Sequence, residues 1–378
     1  MLRTPFSKLS PILLLVWLLP GLVSAQELHQ DVREIVSATV IEVVSEKERE
    51  VTGTDTTTSI QELRVILTSG AQKGEVRSFS HEVVPLEVGD KIFLNHVVSI
   101  EGTEYYSYAD FERRPALLVL ALIFVVVLVF FAGKQGVRAL LSLAVSVAAI
   151  CFLLVPALLK GYNPALTVTA LSAVILAVVL FGTHGRQPKT YIAYGGTMAA
   201  VILTALLALV SVKVMRLSGF SDDASVYLNF ATDGALDLSG LLLGSIIIGI
   251  LGILDDVAMT QASVVQELKA ANPLLSVREL YQRAIRVGRD HIGSLVNTLA
   301  LAYVGVALPL ILLFAKTETD ILFSLSREVV AVEFLRIIVG SIGLILAVPA
   351  TTLVAAWYFA KHDVDATEVS SHAHHHHH

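Results

Sequence analysis

Pro115-Ala-Leu-Leu-Val-Leu-Ala-Leu-Ile-Phe-Val-Val-Val-Leu-Val-Phe-Phe-Ala-Gly133 runs for 19 residues without a charge. A stretch that long and that apolar crosses a bilayer as a helix, which takes about 20 residues. It is the first of a series. Further apolar runs fall near 136–159, 164–182, 191–212, 239–258, 292–315 and 335–359. Seven transmembrane helices are therefore expected, because inside lipid every backbone amide must be satisfied within its own segment.

Upstream of Pro115 the composition changes. The whole chain of 378 residues is 54% hydrophobic and only 16% charged, with a mean hydropathy of +0.71. Soluble domains carry about a quarter charged residues. Residues 26–114 alone hold 17 Asp/Glu and 9 Lys/Arg, a balance of 9 − 17 = −8. That segment reads as a soluble domain, and its acidity argues against nucleic acid as a partner. The one cysteine, Cys151, excludes a disulfide within the chain and is expected to be a small buried hydrophobe.

Before this domain lies a signal peptide pattern over residues 1–25. Arg3 and Lys8 form its basic region, Pro11–Val23 its apolar region, and Val23-Ser24-Ala25 a small-residue cleavage site. The domain at 26–112 then shows β signals: Glu34–Val44, Gln61–Leu67, Gly74–Phe79, Lys91–Ser99 and Glu104–Tyr108. Five short strands predict a small all-β barrel of the OB or SH3 kind. Glu48–Ser59 is expected to be a mobile hairpin tip, and Tyr105, Tyr106 and Tyr108 to be exposed as an interfacial belt. The helical domain follows at 113–360. The tail, 361–378, ends in His374–His378 after His372, either an expression tag or a native run that binds transition metals weakly.

Orientation follows from the signal and the basic residues. With the β-domain outside, inner loops hold Lys134, Arg138, Arg186, Lys189, Lys269, Arg278, Arg283, Arg286, Arg289 and Lys361, ten in all. Outer connections hold six: Lys160, Lys213, Arg216, Lys316, Arg327 and Arg336. Arg113 and Arg114 oppose the trend. This is expected to put the β-domain outside the membrane and, with seven spans, the C-terminus in the cytoplasm.

Polar residues in apolar spans carry the functional expectation. Asp256, Thr260, Ser263 and Glu267 fall at i, i+4, i+7 and i+11 and draw one helical stripe, with Asp255 about 100° away. These oxygen ligands suit hard cations or protons. Asp290, Ser294 and Asn297 draw a second stripe, with Thr298 beside it. The bland alternatives are the end of a span for Asp255–Asp256 and helix–helix glue for the hydroxyls and the amide. Gly252 and Pro349 are candidate hinges; packing explains the glycine as often, and kinked packing is the default reading of the proline. Ser276-Val-Arg-Glu279 is a capping box opening an amphipathic helix with Leu280, Ala284 and Val287 on one side, expected along the inner membrane surface.

Asp256-Val-Ala-Met-Thr-Gln-Ala-Ser263 with Glu267, Gly288-Arg-Asp290, and Asn297-Thr-Leu-Ala-Leu-Ala-Tyr303 together resemble the core motifs of the YibE/F-like family of multipass bacterial proteins. Gly340-Ser-Ile-Gly-Leu-Ile-Leu-Ala-Val-Pro349 looks like that family's last-helix motif, and Arg114 with Gly133-Lys-Gln-Gly136 resembles the start of its membrane domain. The resemblance covers roughly 112–358, with the outer domain similar to a YibE-type N-terminal region. Asp255 and His291 depart from the pattern. The resemblance implies an inner-membrane location and names no substrate.

Three function classes compete. Polar stripes, paired carboxylates and small-residue helices fit a transporter or channel for a small solute or ion. The outer β-domain fits a scaffold that binds an envelope partner without transport. An enzyme is not expected, because no metalloprotease, nucleophile-elbow or phosphate-loop motif occurs. No cofactor is expected. The lipid bilayer is the first partner, and a homo-oligomer or a related membrane subunit is left open.

Overall fold

The structure, a computed structural model, describes residues 32–50, 57–82, 84–99, 103–316 and 320–362. The signal peptide, residues 51–56 and the histidine run lie outside them. The chain divides into two compact units, Met1–Ile123 and Phe124–His378.

The first unit is built on an antiparallel sheet of β1 (Val32–Glu50), β2 (Thr57–Leu67), β3 (Val76–His81), β4 (Lys91–Val98) and β5 (Glu104–Phe111), in the order β3-β2-β1-β4-β5. All five expected strands are present. Alternation decides which side faces in: Val36, Ala38 and Val40 on β1, Leu63, Val65 and Leu67 on β2, and Ile92 and Leu94 on β4 are all buried. Burying each large side chain contributes about 1.5–3 kcal/mol. Register shifts between Val40 and Glu42 and between Val43 and Ser45 bend β1, so one long strand pairs with both β2 and β4. The sheet therefore curls into a half-barrel, the small all-β domain that was expected. Its edges meet through side chains, with the rings of His81 on β3 and Tyr108 on β5 4.3 Å apart.

Two expectations in this unit need correction. Glu48–Glu50 and Thr57–Ser59 are paired strand residues rather than part of a mobile tip, and the rest of that segment, 51–56, lies outside the described residues. Of the three tyrosines only Tyr105 is exposed. Tyr106 stacks on His96, with ring centroids at 4.6 Å, and its hydroxyl bonds Gln72, while Tyr108 packs on His81 and Phe111. Adjacent strands offered these rings partners that a linear reading does not show.

The helices are α1 (Arg114–Ala149), a π-helical turn (Ile150–Leu154), α2 (Val155–Leu159), α3 (Pro164–His184), α4 (Pro188–Val214), α5 (Asp223–Ala231), α6 (Leu238–Ala271), α7 (Val277–Val306), α8 (Leu308–Lys316), α9 (Ile321–Ser326) and α10 (Glu328–Lys361). By length and composition five are fit to cross a membrane, and six if the bent pair α7–α8 is one span. Seven were expected. The difference lies in the first two runs, which form one helical stretch of 46 residues, Arg114–Leu159. That stretch is broken at Gly133, whose φ of 53° and ψ of −132° leave the helical region. A Cβ on Gly136 would lie 2.7 Å from the carbonyl oxygen of Leu128. Residues eight apart on a straight helix are separated by about 12 Å along its axis. The chain therefore turns back on itself at Gly133. The π-helical turn further on precedes Pro156, which has no N–H to give the helix. Cys151, in that turn, is exposed among the described residues and not buried as expected.

Inside the second unit α6 is the central helix, packed against α10, α4 and α3, while α7 lies mainly on α10. Glycines set the close approaches. A Cβ on Gly196 of α4 would collide with Thr351 of α10, and one on Gly343 of α10 would collide with Thr204 of α4. The capping box at Ser276 opens α7 as expected, but this helix runs unbroken into the next apolar segment instead of forming a separate surface helix. Gly288, not the exposed Val287, joins Leu280 and Ala284 on its buried side.

Candidate functional site

Asp255 and Asp256 sit in the middle of α6, which continues to Ala271; they do not end it. The core-facing residues of α6 include Ile250, Leu254, Val257, Ala258, Gln261 and Val265. At about 100° per residue, Gly252, Asp256, Thr260, Ser263 and Glu267 lie about 160–240° from Leu254, on the opposite side. Gly252, Asp256 and Glu267 are exposed, while Thr260, Ser263 and Asp255 are half-buried. The Asp256 carboxylate interacts electrostatically with His184 at the end of α3, which also faces Lys189. Asp255 turns its Oδ1 to accept the Asp256 backbone N–H at 2.9 Å.

The second stripe is also turned outward. The packing side of α7 carries Gly288, Ile292, Leu295 and Leu299. Asp290, Ser294 and Asn297 lie about 180–240° around the helix from Gly288, and all three are exposed, as is Thr298. Thr298 donates to the Ser294 carbonyl at 2.9 Å. The two stripes therefore do not converge inside one chain. The open cavity of about 490 Å³ beside α4 and α10 is lined by Arg186, Pro188, Tyr191, Ile192, Val354 and Tyr358, none of them a stripe residue.

The helix interior holds polar groups that periodicity did not single out. Gln261 is buried where α6, α7 and α10 meet. Its Oε1 lies 3.0 Å from Thr352 Oγ1, and its Nε2 would be 2.9 Å from a Cβ on Gly288. Thr190, Thr197 and Thr204 recur every seven residues along α4, all fully buried. Thr197 donates to the Leu254 carbonyl at 3.4 Å, whereas Thr190, Thr351, Ser172 and Ser341 have buried hydroxyls without a partner among the described residues. Near the start of α10, Glu333 pairs with Arg336. Tyr303 of α7 interacts with both, and its hydroxyl lies over Gly249 of α6. The signal for that pair, two charges three residues apart in an apolar run, was in the sequence; Arg336 had been counted only as a loop charge.

Neither hinge candidate interrupts its helix: α6 is continuous through Gly252 and α10 through Pro349. Thr352 Oγ1 lies 2.6 Å from the Val348 carbonyl, next to Pro349, whose missing N–H leaves the Ile345 carbonyl without its helical donor. No group of three or more His, Cys, Asp or Glu suited to a metal ion occurs among the described residues.

Of the ionisable groups in the first unit, several are displaced. Burial lowers the pKa of His81, whose Nε2 accepts the Val84 N–H at 3.2 Å. Hydrogen bonds from Gln72 to Glu104 and from Arg113 to Asp110 hold those carboxylates below their ordinary values. These contacts tie strands and turns together and form no catalytic constellation.

A family model described as "YibE/F-like protein" matches residues 120–361, nearly the whole helical unit. Neither the curated proteins nor the solved structures contain a match. With its apolar helices carrying the motifs Asp256–Glu267 and Gly288–Tyr303 inside the matched region, this chain is a membrane protein that belongs to the YibE/F-like family.

Proposed function

We propose that the protein moves a small solute or ion across a bacterial inner membrane along the polar face of α6. The observation that carries this reading is Asp256. It is an exposed carboxylate midway along the 34-residue helix α6, where the helix's apolar run ends, in line with Gly252, Thr260, Ser263 and Glu267. An ionisable group facing hydrocarbon is costly, so such residues face water or a partner and mark ion or proton pathways. The oxygen-only set favours a proton or a hard cation.

The β-domain then stands outside the membrane and the C-terminus in the cytoplasm. At 1.5 Å per residue the 46-residue stretch Arg114–Leu159 measures about 69 Å, over twice a bilayer core of about 30 Å. The break at Gly133 supports two crossings there, which with α3, α4, α6, α7–α8 and α10 makes seven.

Reconstitution tests the reading. Vesicles carrying the wild-type protein are expected to pass protons or K⁺ down an imposed gradient, and Asp256→Asn to slow this at least tenfold. Equal flux in the two, or none in either, removes the reading. The outward direction of both stripes favours a second reading, a membrane scaffold whose polar faces hold partners and pass nothing. Capture of a partner with no flux supports that one.

A further inference from the structure

The outward faces of α6 and α7 share one property: several of their polar side chains lack partners among the described residues. Glu267, Arg286, Asp290 and Asn297 make no hydrogen bond or ion pair among the described residues.

The two faces match in level at several positions, and at one of them in charge. Gln261 of α6 meets Gly288 of α7, and the helices run in opposite directions there. Residues counted equally from that pair, one way on α6 and the other way on α7, therefore share a depth. Six residues from Gln261 stands Glu267; about the same distance from Gly288 stands Arg283, followed by Arg286, both exposed. Nine residues the other way, Gly252 is level with Asn297, and a Cβ on Gly252 would touch nothing within 4 Å. Asp256 is level with Gly293 and Ser294, and Gly293 is equally open. Acid thus matches base at one depth, and at another a side-chain amide matches an open glycine surface.

We propose that the polar face of α6 of one copy packs against the polar face of α7 of a second copy, and that the α6 polar path is completed by that neighbour. A bilayer fixes the depth of every copy with the same topology, so matches in depth within one chain become side-by-side contacts between two. This level matching argues for a second copy of this chain over an unrelated subunit. The α6–α7 contact is heterologous and closes as a ring if the rotation allows. The interface stands on the geometry alone; its role as part of a path rests on the transport reading above.

The test uses full-length protein in native membranes with Cys151→Ser as background, since Cys151 is the one cysteine. Chains carrying Glu267→Cys and chains carrying Arg283→Cys, distinguished by tags, are co-expressed and oxidised. A disulfide-linked heterodimer is expected, and none is expected when Glu267→Cys is paired with Leu203→Cys, on an exposed face of α4. Absence of the mixed dimer, linkage equal to that at Leu203, or linkage only to a different polypeptide overturns the proposal. Wild-type protein in lipid nanodiscs gives an arm free of substitutions: two or more copies by mass support the proposal and one copy overturns it. Both readouts ignore flux, so a monomer that still loses flux in Asp256→Asn sinks the interface and leaves the transport reading standing.

Discussion

Thr352 of α10 reaches across to Gln261 of α6, with Oγ1 3.0 Å from Oε1, and both residues are shut away from the outside of the bundle. The same hydroxyl lies 2.6 Å from the Val348 carbonyl, so its single proton is shared between the two acceptors. Gln261 is one position from Thr260 and two from Ser263, yet it faces the core while they lie on the outward stripe.

This contact predicts coupling. Gln261→Leu leaves Thr352 with its backbone partner alone, and Thr352→Val leaves a buried amide unmatched. Each is expected to lower stability by about 1–2 kcal/mol, in the range for polar contacts in membrane bundles and for an orphaned polar group. The double variant is expected to lose less than the sum. Thermal unfolding of the four proteins in one detergent checks this; additive losses show no coupling.

Gly133 carries the second prediction. Its positive φ suits glycine, and other residues held there are strained by about 1–3 kcal/mol. Gly133→Ala is expected to lower the unfolding temperature. It is also expected to change the protease or thiol-reagent accessibility of residues 133–136, because the turn opens. Gly293→Ala, at a helical glycine with open space around it, is the comparison and is expected to stay within about 1 kcal/mol, the helix-propensity scale. Equal behaviour of the two contradicts a strained turn.

The β-domain carries a pH prediction. Burial keeps His81 neutral in the fold, so below its ordinary 6.5 the unfolded chain binds a proton more readily than the folded one. Stability contributed by neutral His81 is complete above that value and is lost as pH falls toward the lower, folded value. Glu104 and Asp110, ordinarily 4.5 and 3.8, are depressed, so their contribution has the same sign over a more acid window. Protease resistance of this domain within the whole protein is expected to be flat above about pH 7 and to fall in two stages below. His81→Gln is expected to flatten the upper stage. Resistance that rises on acidification contradicts the assignment.

Much of this was readable in order of residues. Leu63, Val65 and Leu67 alternate, so β2 was plain; the charge-free runs gave the long helices. The stripes Asp256–Glu267 and Asp290–Asn297 were legible as faces. Their direction was not, because periodicity defines a face without saying what lies against it. Gln261 escaped notice for the same reason: a lone amide one position from a stripe gives no pattern. Curling of the sheet without closure rests on the bulges in β1, which depend on the partner strands. The turn at Gly133 was legible as the gap between the first two apolar runs, where Lys134 and Gln135 interrupt them; that helix resumes directly on either side of it was not.

The central claim is that the α6 polar face meets water inside the membrane. Single cysteines placed along Gly249–Glu267 in the Cys151→Ser background, probed in intact membranes with a membrane-impermeant thiol reagent, test it most directly. The account predicts reaction at Gly252→Cys, Asp256→Cys, Thr260→Cys and Ser263→Cys, and protection at Val257→Cys and Ala262→Cys, which replace fully buried residues, and at lipid-facing Leu203→Cys. Protection at all four stripe positions, or reaction without helical periodicity, contradicts it.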